Sequence, residues 1–325
     1  MSEVTLTMRQ YVAGHEGLRY LFFGGKGGVG KTAVAGATAL WLAESGRRTL
    51  LASTNPVHSL SSLLGQDVLG REVPVTGVNN LGAYEIETAA TIERSKAEIR
   101  EKINWFLKFS DITTKAGDFV ESATMNPAFE ESAMFENMVD LMLRGDYEAY
   151  VFDTAPAANA RRLLGMSKVY SMWVEKMLRS REEAKSLREM LSFSKKKEKD
   201  PLLDYLLDFR GRMGRAKDLL TDASQTAFFF VTLPEALPIA VIRRFMTWFR
   251  DFGIPVGGVV VNGVISSDLQ HAGDFVSSRI NMQRGYLEEI WRTFGDGVRA
   301  IIPLFDAEVR GVEMLRRMAQ SLFSE

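Results

Sequence analysis

Between an apolar run at residues 18–23 (LRYLFF) and an alanine-rich stretch at 32–44 (TAVAGATALWLAE) stands the segment GGKGGVGKT, residues 24–32. The short apolar run suits a buried strand, and the alanine-rich stretch has the apolar spacing of a helix. Strand, glycine turn, helix is the context that a phosphate-binding loop requires. Gly25, Gly27, Gly28 and Gly30 permit the backbone conformations that point several N–H groups at one phosphate chain, and the helix N-terminus adds its positive end. Val29 and Ala33 belong to the same binding segment. Lys31 is placed to reach the β and γ phosphates of a nucleotide, and the Thr32 hydroxyl to hold a magnesium ion. Lys26 stands where the loop template asks for nothing in particular, which makes it the most informative residue in the chain.

Composition permits this reading and removes others. With 325 residues, 46% hydrophobic and 25% charged, the chain has the make-up of a globular protein. A formal net charge of −1 indicates no general attraction to nucleic acid or anionic lipid, so no nucleic-acid partner is expected. No apolar run approaches the ~18 residues that span a bilayer, and the polar start MSEVTLTMRQ lacks the apolar stretch of a signal peptide, which points to a cytoplasmic protein. The absence of cysteine excludes disulfides, thiolate catalysis and cysteine-ligated zinc, and the three histidines (His15, His58, His271) lie too far apart in sequence to suggest a metal site.

Further strand candidates alternate with helical stretches: 49–54 (TLLAST), 83–87, 149–153 (AYVFD), 227–233 (AFFFVTL), 256–262 (VGGVVVN) and 300–305 (AIIPLF). Six or seven short strands separated by helices predict an α/β fold with a doubly wound, mainly parallel sheet. Ligands of such sheets bind beyond the carboxyl ends of the strands, where Gly25, Asn55, Asp153 and Asn262 all fall. Residues 91–143 and 161–220 read as helical and amphipathic, so we expect one domain over 1–325 with a helical subdomain inserted over the active end of the sheet. Nine of the 15 methionines (125, 134, 138, 142, 166, 172, 177, 190, 213) lie in that region. Unbranched, polarisable methionine suits a groove for varied apolar partners and equally fills ordinary cores, so both readings stand.

Six ordered blocks resemble the ArsA/Get family of deviant-loop ATPases: GGKGGVGKT at 24–32, STNPVHSL at 53–60, VFDTAPAANARRLL at 151–164, TLPEALP at 232–238, VVVNG at 259–263 and PLFDAEVRG at 303–311. The family includes the arsenite-pump ATPase and the targeting factor for tail-anchored membrane proteins. The resemblance implies ATP and Mg2+ as cofactors and a homodimer. In that dimer Lys26 crosses to the partner subunit's nucleotide and stabilises charge on the transferring phosphoryl group. It further implies that Lys31 and Thr32 keep their loop roles and that Asp153 lies near magnesium. Asn262 is implied to read adenine, with Glu235 and Pro303 touching the nucleoside. The plainer reading is that Asn262 caps a strand end and Pro303 shapes a loop.

Departures from the family pattern matter as much. Asn55 replaces the aspartate that orients the attacking water in the first switch, DPAHSL in the family and Asn55-Pro56-Val57-His58-Ser59-Leu60 here. Asparagine cannot take that proton, and loss of a general base is worth about 10²–10⁴-fold. Positioning and charge neutralisation do most of the work in phosphoryl transfer, so slow hydrolysis is expected, with tight ATP binding without turnover as the alternative. In the second switch, residues 157–161 (AANAR) replace the family's glycine and histidine, which implies altered coupling to nucleotide. Gly273 and Val276 stand where the family's zinc-binding cysteines are placed, so no zinc clamps this dimer and a thiol arsenite site is absent.

The expected function is therefore a nucleotide switch that closes a dimer and binds a hydrophobic client such as a membrane-protein segment. The alternatives are a MinD/ParA-like positioning ATPase on a membrane or DNA surface and a regulator that binds ATP without hydrolysing it. The stretch 309–323 (VRGVEMLRRMAQSLF), readable as an amphipathic membrane helix, motivates transient membrane association. A packed terminal helix is the commoner origin of such a pattern.

Overall fold

The computed structural model describes residues 6–54, 59–108, 127–154 and 201–324. Eight strands form one sheet: β1 (Tyr20–Gly24), β2 (Thr49–Ser53), β3 (Val73–Pro74), β4 (Leu81–Glu85), β5 (Ala149–Asp153), β6 (Thr226–Thr232), β7 (Val256–Val264) and β8 (Val298–Pro303). Their order is β3-β4-β2-β5-β1-β6-β7-β8, parallel throughout except for the antiparallel pairing of β3 with β4. The described helices are α1 (Met8–Ala13), α2 (Lys31–Glu44), α3 (Ser59–Leu64), α4 (Thr88–Lys108), α5 (Pro127–Arg144), α6 (Pro201–Thr221), α7 (Ala236–Asp251), α8 (Asp274–Phe294) and α9 (Gly311–Leu322).

Seven of the eight strands coincide with sequence candidates to within two residues at nearly every end, because each is an apolar run bounded by turn residues. The expected six or seven strands become eight: β3 was missed because it has only two residues, ends in a proline and carries no alternation. Helices cover both faces of the sheet, so the continuous apolar runs split by period two. Leu21, Phe23, Leu51, Val151, Phe229 and Val231 belong to the core that contains α2 and α9. Phe22, Phe152 and Phe228 stack on the opposite face at ring distances of 4.8 and 4.3 Å, and Phe249 of α7 meets Phe228 and Phe230 edge-on.

The chain divides into two compact units. One comprises Met1–Glu87, Arg144–Ala160 and Leu219–Glu325 and holds the sheet; the other comprises Thr88–Leu143 and Arg161–Asp218. In the second unit Met138, Met142 and Met213 are buried. Those three therefore serve as core residues and Met134 is half-buried, whereas Met125, Met166, Met172, Met177 and Met190 of the groove reading fall outside the residues whose side chains are described.

The terminal stretch resolves differently from its membrane reading. Leu315, Met318, Ala319 and Leu322 of α9 follow helical spacing and are all buried, packed in the core shared with α2. Trp41 and Phe323 stack at 4.0 Å with an interplanar angle of 2°. An apolar stripe covered in this way is not available to a bilayer, so the pattern that suggested a membrane helix is that of a packed one. None of the described helices is long and apolar enough to cross a membrane.

Candidate nucleotide site

The loop from β1 to α2 has the backbone that its glycines predict. Gly25 has φ +150°, and a Cβ there would overlap the carbonyl oxygen of Val231 on β6. Gly30, with φ +89° and ψ +24°, is the left-handed cap of α2, and a Cβ there would overlap the Asn262 amide nitrogen. Any other residue at either position meets backbone strain, and at Gly25 also a backbone carbonyl that cannot yield, whereas at Gly30 it would displace the Asn262 side chain. Gly27 and Gly28 are exposed at the loop's tip, Val29 is buried beneath it, and Ala33 lies half-buried in the first turn of α2.

Register places the rest. Phe23 of β1 lies opposite Asp153 of β5, Asp153 opposite Ser53 of β2, and Ser53 opposite Glu85 of β4. In parallel strands residues in register share a face, so three polar side chains stand in a row beside α2, each the last residue of its strand. Asp153 continues the apolar column of Val151 two residues earlier, which is why it is fully buried. Its Oδ2 accepts hydrogen bonds from the Thr32 hydroxyl at 2.7 Å and the Ser53 hydroxyl at 3.3 Å. Its Oδ1 is buried with no hydrogen-bond partner. Burial pushes the Asp153 carboxyl up to about 6, against the bond from Thr32, the charge of Lys31 and the bond from Ser53, while Glu85 adds to the rise.

Lys31 is also buried, which lowers its pKa, with Asp153 acting in the opposite direction. Its ammonium donates to the Lys26 carbonyl oxygen at 3.3 Å. The Lys26 side chain is half-buried, and its own ammonium makes no hydrogen bond or ion pair with the described residues. The loop thus holds one lysine against its own backbone and gives the other no partner among the described residues.

The donor set fits magnesium. No group of three or more His, Cys, Asp or Glu among the described residues could hold a metal alone. Mg2+ is instead commonly held by one or two protein oxygens together with waters and ligand phosphates. The Thr32 hydroxyl and the orphaned Asp153 Oδ1 provide such a pair, since an unpartnered buried carboxylate oxygen calls for a positive partner.

The remaining predicted residues sit at the carboxyl ends of β6, β7 and β8. Asn262, near the carboxyl end of β7, donates its amide to the Val29 carbonyl oxygen at 3.0 Å, tying the strand to the loop. Glu235 opens α7 and forms an exposed ion pair with Arg279 of α8 at 3.6 Å. Pro303 ends β8 opposite Val264 and is exposed. Asn55 and the second-switch residues 155–164 lie outside the described residues.

Sequence reasoning missed Glu85. It is fully buried and accepts the N–H groups of Leu60 and Ser61 at 2.8 and 3.1 Å and the Ser61 hydroxyl at 2.6 Å, so it holds the start of α3. Ser59, at the head of that helix, lies 3.4 Å from the Thr32 hydroxyl. The only sequence signal was a carboxylate ending an apolar strand, which is equally a solvent-facing turn residue.

The chain is similar over most of its length to known proteins. A Halobacterium salinarum protein bearing the name of an arsenical pump-driving ATPase is 32% identical over 308 residues, 95% of this chain. The chain spans 44% of that protein's length. ATPase ASNA1 homolog 2 of Paramecium tetraurelia is 27% identical, with 94% of this chain and 93% of that protein covered. ATPase GET3A of Arabidopsis thaliana is 27% identical, with 97% of this chain and 86% of that protein covered. The family model for anion-transporting ATPases, the ArsA ATPases, matches residues 18–324. With its loop, its buried aspartate and nearly its whole length within that match, the chain belongs to the anion-transporting ATPase family.

Proposed function

We propose that this protein is an ArsA/Get-type ATPase in which ATP closes a homodimer, with slow hydrolysis and a hydrophobic client bound in step with closure. The observation that carries the reading is the inequality of the two loop lysines: Lys31 is buried and engaged within its own loop, whereas the Lys26 ammonium has no partner among the described residues. A half-buried cation on the loop with no partner among the described residues suits a role toward a second subunit's nucleotide. The names of the ASNA1 and GET3A relatives, both ATPases, support the reaction class.

In this reading the N–H groups of Gly27 to Thr32 surround the phosphates, Lys31 moves from the Lys26 carbonyl to the β and γ phosphate oxygens, and Thr32 and Asp153 hold Mg2+. When bound, Mg2+ neutralises charge developing on the phosphate oxygens. Asn262, Glu235 and Pro303 face the nucleoside side, and Asn55 holds the attacking water through its amide oxygen without accepting a proton, which sets a low rate.

ATP binding, ATP turnover and oligomeric state of Lys26→Ala test this. The monomer should bind ATP nearly as wild type does, while turnover falls by about 10²-fold or more and the ATP-dependent dimer is lost. Wild-type behaviour of Lys26→Ala in both turnover and dimerisation would sink the trans role. An inert wild type restored to turnover by Asn55→Asp would establish an ATP-binding regulator in place of an ATPase.

A further inference from the structure

We infer that Gln283 is a positioning residue for the nucleotide: from α8 it fixes the exit of β7 and, through Asn262, the phosphate-binding loop. The inference rests on the ATP-binding reading of that loop.

The ladder between β7 and β8 loses its regular register between Val261 and Val264, and Gly263 inside the break has φ +70°. Backbone groups there need partners from elsewhere. Gln283 supplies them: its amide nitrogen donates to the Gly263 carbonyl oxygen at 3.0 Å, and its amide oxygen accepts from the Ile265 N–H at 2.9 Å. It is 5% exposed, on a helix whose other polar side chains largely face outward. Asn262 directly precedes the stretch so clamped, and its side chain reaches Val29 while filling the space that a Cβ on Gly30 would need. Two hydrogen-bonded contacts, joined by the peptide bond between Asn262 and Gly263, therefore link α8 to the residue before the cap of α2.

Arg279, one turn before Gln283, touches Glu235 across 3.6 Å, but both partners are about two-fifths exposed. An exposed pair of that length contributes little, whereas removing two part-buried amide bonds from a buried side chain takes partners from a backbone carbonyl and an N–H at once. Gln283, not Arg279, is therefore the residue through which α8 sets the loop.

Calorimetric titration of the full-length protein with ATP and Mg2+ tests this as a double-mutant cycle. Gln283→Met and Asn262→Ala should each weaken ATP binding by roughly tenfold. The double variant should bind about as weakly as Asn262→Ala alone, because both act through one contact. Multiplying effects, or a Gln283→Met protein with a lowered unfolding midpoint and wild-type affinity, would reduce Gln283 to a structural residue and overturn the inference. If Gln283→Met does not fold, Gln283→Glu keeps the acceptor for Ile265 and replaces the donor to Gly263 by a second acceptor that repels its carbonyl, and the same cycle applies. A wild type that binds no ATP overturns the functional reading itself, a result separable from additivity in a protein that does bind.

Discussion

Asp153 concentrates the chemistry of a single residue. It is a fully buried carboxylate with one oxygen bonded to two hydroxyls and the other unpartnered, and its pKa is pushed from 3.8 up to about 6. A raised folded-state pKa means that the fold binds this proton more tightly than the unfolded chain does. The corresponding stability is fully present below about pH 4 and is lost as pH rises through about 6. Asp153→Asn has no such proton to lose. In the nucleotide-free protein it should therefore match wild type near pH 4 and be more stable above pH 6, on the order of 1–3 kcal/mol, while losing Mg2+-dependent tightening of ATP binding. Denaturant unfolding across that range checks the first part, and an Asp153→Asn protein less stable than wild type at neutral pH would refute it. The aspartate was legible from AYVFD ending a strand run. Its orphaned oxygen was not, because hydrogen-bond partners from β2 and α2 arrive only when strands far apart in sequence come into register.

Among elements, the contrast between α2 and α3 is instructive. The start of α2 has no side-chain cap; Gly30 in the left-handed region turns the chain there, which leaves the first N–H groups of the helix for the phosphates in the proposed function. The start of α3 is held instead by a carboxylate from another strand, Glu85, which accepts two backbone N–H groups and a hydroxyl. Glu85→Gln would place an amide N–H2 against those donors, so the helix should fray at a cost of about 1–3 kcal/mol. Hydrogen exchange at Leu60 and Ser61 would report it, and unchanged protection there would remove Glu85 from this role. Strands were easier to read than this contact. The runs at β1, β5 and β6 are apolar at nearly every position because both sheet faces are covered, and that signal survives in one dimension. Two-residue β3 leaves no such trace.

At the scale of the molecule, the two ends of the chain's motif set meet in one core. α2, which carries Lys31 and Thr32 at its head, packs along its length against α9, with Leu315 fully enclosed and Trp41 stacked on Phe323. Leu315→Ala should cost about 2–5 kcal/mol, read as a lowered denaturant midpoint with an unchanged slope. A loss below about 1 kcal/mol would mean that α9 is not part of the cooperative core. The Arg316–Glu44 pair beside it is exposed and contributes far less. Sequence alone determined the loop, the parallel α/β sheet and the likeness to a family, because these are written in contiguous residues: glycine spacing, apolar runs and ordered motifs. Only the tertiary structure decided that 309–323 packs inward, that Met138, Met142 and Met213 are core, that Glu85 holds α3, that Asn262 bonds the loop and that Gln283 bonds the exit of β7. An amphipathic stripe, a buried methionine and a satisfied amide are each defined by what lies opposite, and the partner comes from a distant part of the chain.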